Sequence, residues 1–234
     1  MLDLVGSLVL GSTIAVDMFA VIAALSLGRG AQLAVAAGAG AWVAFIAAIT
    51  AAGWLERAIT VPAAFTVPLL LAVVFAFGSP SFRAALLAIP ATLIIRLNVL
   101  RVLGGLFLLL AAAGRLSGPF PYSAGIGDLL TGIFALSVAG VAARTSVNNL
   151  RVLAWNAFGM LDLIAAVTLG VLSRNGTPLH LIHAGVGSAA IETLPWSLVP
   201  LVLVPVYLIG HALVFAHAHW SLDTRQQGYA SSMT

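Results

Sequence analysis

The chain has 234 residues, of which 62% are hydrophobic and only 7% charged, and its net charge is +3. A soluble domain carries about 25% charged residues, so this chain cannot cover itself with polar surface, and lipid is the solvent that suits it. All ten basic residues are arginines, set singly between apolar runs, which reads as loop topology and excludes a nucleic-acid footprint; the lack of cysteine excludes disulfides, thiolate chemistry and Cys-ligated metal.

The predicted fold class is all-α: a polytopic membrane helix bundle of seven transmembrane helices, with an additional interfacial helix before the fourth span. One domain is expected over residues 1–220, followed by a polar C-terminal tail at 221–234, disordered at its end. Span 1 covers about 4–27, carries Asp17, and reads as a retained span because it is too long for a signal segment and lacks a basic flank. Span 2, about 32–55, contains the small-residue run AVAAGAGA, which suits close helix packing in lipid. Span 3, about 59–77, has Pro62 and Pro68 near its start and stops at Gly78-Ser79-Pro80.

The apolar stretch Ala84 to Gly114 is too long for one crossing: at ~1.5 Å per residue it would measure roughly 46 Å against a ~30 Å hydrocarbon core. It therefore divides into an interfacial or half-helix from Arg83 to Ile95 and span 4 at about 97–113. Span 5, about 124–142, opens on AGIGDLLTG with Asp128 one turn inside; span 6, about 152–172, holds Trp155, Asn156 and Asp162. The long loop Ser173 to Thr193 contains Arg174, His180, His183 and Glu192. Span 7, about 194–216, carries Pro195, Pro200 and Pro205, which must kink it and oblige neighbouring helices to satisfy the freed carbonyls.

Seven spans set the termini on opposite sides. Arg57, Arg115 and Arg174 fall on one side, and Arg29, Arg83, Arg96, Arg144, Arg151 and Arg225 on the other. The excess marks the second side as cytoplasmic, so the N-terminus is expected outside and the C-terminus inside, in a multi-pass protein of the bacterial inner membrane.

Counted from the inner ends of these spans, Arg101, Asn156, His211, Asp17 and Asp162 share a slab roughly 6 to 15 Å deep. Ionisable groups at such depth face a bundle interior or wet cavity and pair with one another. Asn98 stands at the mouth of span 4, and Tyr207, four residues before His211, faces the same way. The expected site is thus a polar cavity of Arg101, Asp17, Asp162, His211, Asn98, Asn156 and Tyr207 that binds or transports a small solute. Arg101 would hold an anionic group or counter an aspartate, and Asp162 or His211 would exchange a proton. Structural readings stand beside this one: Arg101 snorkelling to headgroups, Asp17 bonding Thr13, Trp155-Asn156 anchoring at the interface, and Asp128 complementing a helix N-terminus.

Two other classes compete. His180, His183 and Glu192, with Asp128 nearby, could make a three-ligand zinc site of a membrane-embedded enzyme. Alternatively the chain is a structural or partner subunit, with the Gly/Ala-rich spans 1 and 2 as its docking or oligomerisation face. No cofactor is expected, haem and zinc standing as the alternatives; the lipid bilayer and a small-molecule ligand are the expected partners, and nucleic acid is not.

Seven spans with an outer N-terminus resemble the rhodopsins, but a retinal Schiff base needs a lysine. Membrane ceramidase and adiponectin-receptor hydrolases place zinc histidines on early and late spans, and here none precedes His180. A bis-histidine haem site needs a second histidine inside a span beside His211. Asn98 and Arg101, the aspartate-glycine pair Asp128 and Gly132, Trp155-Asn156, and the Pro-rich last span with Trp196 and His211 resemble a group of uncharacterised bacterial integral membrane proteins. The likeness covers about 89–211 and implies the architecture, with no function carried over. It departs at Gly105, where an acid often stands beside the arginine, which leaves the partner of Arg101 to be found elsewhere.

Overall fold

In the computed structural model the backbone is described for residues 1–231 and side chains for residues 1–219. Among the described residues all regular structure is helical: α1 (Leu2–Ala24), α2 (Arg29–Ala51), α3 (Thr60–Gly78), α4 (Pro80–Ala88), α5 (Ala91–Leu97), α6 (Leu106–Ala112), α7 (Phe120–Arg144), α8 (Leu150–Leu172) and α9 (Val204–Ser231). Seven segments are long and apolar enough to cross a membrane: α1, α2, α3, Ala91–Ala112, α7, α8 and Val199–His219. The chain is a multi-pass helical membrane protein. The expected tail at 221–234 falls on residues whose side chains, and whose last three positions altogether, lie outside the described residues.

Three span starts differ from the sequence expectation. Pro90 disfavours helical backbone at the residue before it, and Ile89 and Pro90 are both extended, with ψ of 123° and 127°. The break therefore falls there, α4 is a separate short helix, and the fourth span starts at Ala91 rather than Leu97. Span 5 starts at Phe120 rather than Ala124, because Pro119 and Pro121 suit a helix's first turn, where no N–H is needed. Span 7 becomes regular at Val199 rather than Leu194, after a turn containing the cis Leu194-Pro195 bond.

Span 7 opens with a π-helical turn, Val199–Leu203. Pro205 offers no N–H to the carbonyl four residues back, Leu201, and that oxygen accepts from Trp42 Nε1 of α2 at 3.1 Å. A neighbouring helix thus satisfies the carbonyl that proline frees, as expected for proline in lipid. Beside it the hydroxyls of Thr50 and Ser197 lie 3.1 Å apart.

Contacts at the two ends fix the threading. At one end Asp3 Oδ1 accepts from Arg115 Nη1 and from Trp196 Nε1, each at 2.7 Å. At the same end Arg174 donates to the Leu55 carbonyl and to Glu192 Oε1 (2.5 Å). At the other, His217 Nε2 lies 3.0 Å from the Leu87 carbonyl, and Gln32 Nε2 donates to the Leu25 carbonyl at 2.7 Å. Within this bundle α3 is the most peripheral span, 6% buried, whereas Val199–His219 is 50% buried and forms the axis.

The alternation predicts opposite accessibility for α4, which follows α3, and for the loop after α8. In the cysteine-free chain, Ser81→Cys and Asn175→Cys should react with a membrane-impermeant thiol reagent from opposite faces of sealed vesicles; labelling of both from one face would contradict the threading.

Candidate functional site

Between α5 and α6 the fourth span tightens into a 3₁₀ helix, Asn98–Gly105. With three residues per turn, Asn98, Arg101 and Gly104 stack on one face. That face points inward: Asn98 is 2% and Arg101 3% exposed. Arg101 lies midway along the span Ala91–Ala112, deeper than expected because the span starts earlier. Snorkelling is therefore not what this side chain does.

Arg101 instead joins three helices. Its Nε donates to Asp128 Oδ1 of α7 at 2.7 Å, and its Nη2 to Asp162 Oδ2 of α8 at 2.6 Å. Nη1 donates to the Gly159 carbonyl and meets His211 Nε2 of α9, each at 3.1 Å. An arginine has donors only, so His211 Nε2 must accept. Its Nδ1 faces Asn156 Oδ1 at 2.7 Å, while Asn156 Nδ2 donates to the His211 carbonyl at 3.0 Å. These partners specify the uncharged Nδ1–H tautomer. The Arg101 guanidinium lies 5.9 Å from the centroid of the Tyr207 ring, and the Tyr207 hydroxyl donates to Asp17 Oδ2 of α1 at 2.8 Å. One connected network thus gathers Arg101, Asp17, Asp162, His211, Asn156 and Tyr207, and adds Asp128.

Glycines admit these side chains. A Cβ built on Gly104 would fall on the Asp128 carboxylate, and one on Gly127 on the Asp162 carboxylate. One on Gly159 would come within 2.7 Å of the His211 ring, and one on Gly132 within 2.7 Å of the Val102 nitrogen. Close helix approach and buried charge have one sequence cause: small residues placed opposite the clamp.

Two cavities meet at this network. The larger, about 270 Å³, lies between α3, α6, α7, α8 and the π-helical turn; its walls include Phe65, Phe107, Phe120, Leu163, Ala166, Val167 and Gly170, with Arg174 and Glu192 at one end. The smaller, about 30 Å³, is lined by Thr13, Arg101, Gly104 and Tyr207 among apolar residues. Asp128 is the one ionisable residue that lines both. Four buried side-chain polar atoms among the described residues, Asp17 Oδ1, Asn98 Oδ1, Thr131 Oγ1 and Ser173 Oγ, make no hydrogen bond.

Several expectations change. Asp128 does not complement a helix terminus: Phe120 starts the helix, so Asp128 lies ~12 Å inside it. The Pro-Phe-Pro signal at 119–121 could have revealed this. Asn156 is not an interfacial anchor but fully buried against His211, and Trp155 Nε1 donates to the Thr131 carbonyl at 3.1 Å. Thr13 does not serve Asp17, since its hydroxyl donates to the Val9 carbonyl at 2.9 Å. Asn98 is buried but turns back to the Ile94 carbonyl at 3.0 Å, leaving its Oδ1 unpartnered and the residue outside the Arg101 network.

The zinc constellation is not assembled. His180 and His183 sit in irregular chain rather than on a helix, with ring centroids 4.3 Å apart. Glu192 is committed to Arg174, and among the described residues no three His, Cys, Asp or Glu side chains are grouped to hold a metal.

The fold and the site define a multi-pass membrane protein built around a buried arginine-carboxylate centre. The chain belongs to the family of the domain of unknown function DUF8737, whose model matches residues 58–218 and so includes the whole centre apart from Asp17. No curated protein and no solved structure matches the chain.

The glycine geometry makes a sharp prediction. Gly127→Ala should destabilise the protein by ~3 kcal/mol or more, since it displaces the Asp162 carboxylate from a buried pair. Gly40→Ala, with no atom near its added methyl, should change stability by less than ~1 kcal/mol. Thermal unfolding in matched detergent checks both; equal shifts would contradict the packing.

Proposed function

We propose that this protein binds and moves a small solute through the cavity that ends on Asp128, with the Arg101 centre as its coupling element. The observation that carries the reading is Arg101, 3% exposed and held by two carboxylates from two helices, one of which, Asp128, lines the inner end of an apolar cavity. Ion pairs inside a membrane bundle mark solute pathways and proton relays more than they mark stability. Arg101 counters the aspartates and is too fully engaged to hold an anion. The exchanging groups are then Asp128 and Asp162, because Nε2 of His211 already accepts from Arg101.

Proline-broken span 7 is the mobile element in this reading, since discontinuous helices line transporter sites. The membrane is proposed to be the bacterial inner membrane, with the N-terminus outside. Arginine placement supports that orientation: Arg115 and Arg174 are paired with Asp3 and Glu192, whereas Arg29, Arg83, Arg96, Arg144 and Arg151 form no salt bridge among the described residues.

Wild-type protein and Asp162→Asn in nanodiscs, incubated with a cell metabolite extract and washed, should differ in what they retain by mass spectrometry. At least one solute should be held by the wild type and lost in the variant, and that solute should exchange across proteoliposomes. Identical retention by the two proteins would overturn the reading.

A further inference from the structure

We propose that the solute is a small hydrophobic amine, an organic cation with one ammonium group on an apolar body. This deepens the preceding reading and rests on the same cavity. Leu163, Val167, Gly170 and Arg174 line it from one face of α8 and its C-terminal end, so it extends ~16 Å along that helix. Its charged groups are confined to its two ends: Asp128 within the bundle, and Arg174 with Glu192 at the other.

The two ends differ in what they offer. Arg174 is 4% exposed and engaged by Glu192 and by the carbonyls of Leu55 and Arg57, so it has no face for an anion. At Asp128, Oδ1 takes the Arg101 bond, and the second carboxylate oxygen carries no protein hydrogen bond and lies beside Gly104 of the smaller cavity. Where the two cavities meet, Asp128 thus presents an acceptor of negative sign.

Charge balance points the same way. Arg101 is the one cation against Asp128 and Asp162, and His211 is the uncharged tautomer. When both carboxylates are ionised, the one guanidinium leaves a negative charge in a low-dielectric setting, which a proton or an ammonium offsets and a carboxylate or phosphate would add to. An ammonium also brings three donors on a compact head, and its bond to a carboxylate is charge-assisted. The apolar walls, with Phe65, Phe107 and Phe120 among them, accept the remainder of the molecule. An apolar cavity of about 150 Å³ holds benzene, so one of about 270 Å³ suits roughly eleven heavy atoms.

The probe of that size is 4-phenylbutylamine, compared with 4-phenylbutan-1-ol and 4-phenylbutyrate by calorimetric titration into protein-loaded nanodiscs, with empty nanodiscs subtracted. The amine should bind the wild type about tenfold or more tighter than the alcohol, and the acid weakest. Asp128→Asn should remove most of the amine's advantage while leaving the alcohol unchanged. Ala166→Leu, which fills the cavity wall without touching the Arg101 network, should abolish binding of both and keeps the test valid if Asp128→Asn folds poorly. Alcohol or acid binding that equals the amine's and is lost in Ala166→Leu overturns the amine class and leaves the solute site standing. Amine binding unaffected by Ala166→Leu, or no binding of any probe, overturns both.

Discussion

Arg101 stands midway along an apolar span, where a lone guanidinium costs at least ~2.5–3.5 kcal/mol and cannot reach water. It must therefore be paired, and the pairing shapes the bundle around it. Its planar fork aims Nε at Asp128 and Nη2 at Asp162, so one side chain holds α7 and α8 in register against the fourth span. Carboxylates that close need room, which Gly104 and Gly127 provide. The third direction of the fork ends on His211, whose tautomer is set in turn by Asn156.

The same centre explains why the span changes helix type. An α-helix turns 100° per residue and would spread Asn98, Arg101 and Gly104 over a wider arc, whereas the 3₁₀ run stacks them. Such a run is long for this geometry and is held by α7, whose Gly125 and Gly132 come against Gly104 and the Val99–Val102 backbone. Around this tight core the packing loosens toward α3, and the apolar cavity lies in that looser region with Asp128 at its inner end. Rigidity and open space meet at one carboxylate. A solute there would touch the element that locks three helices together, which is how local binding can move a bundle.

Much of this was legible in the sequence. Apolar runs of 19 to 25 residues announce the seven spans, and the scarcity of charge makes each buried one conspicuous. Arg101, Asp162, Asn156, His211 and Asp17 could be grouped by depth, because helix rise converts residue count into distance, and Tyr207 joined them by its four-residue spacing from His211. Asp128 escaped because its helix was started one turn late, which moved the acid toward a terminus. The commitment of Glu192 to Arg174 and the apposition of Gly104 and Gly127 to carboxylates depend on which faces of different segments meet, and periodicity within one helix does not specify that.

The most direct test is a double-mutant cycle between Arg101 and Asp162, read by reversible unfolding in mixed micelles. Arg101→Met should cost roughly 3 kcal/mol, because it leaves two buried carboxylates uncompensated, and Asp162→Asn about 1–2 kcal/mol, because it weakens one charge-assisted bond while Asp128 still pairs with Arg101. The pair together should cost no more than Arg101→Met alone, a coupling of about 1 kcal/mol or more. Additive losses would mean that the two groups act independently, and that the arginine-carboxylate centre is not what holds this bundle together.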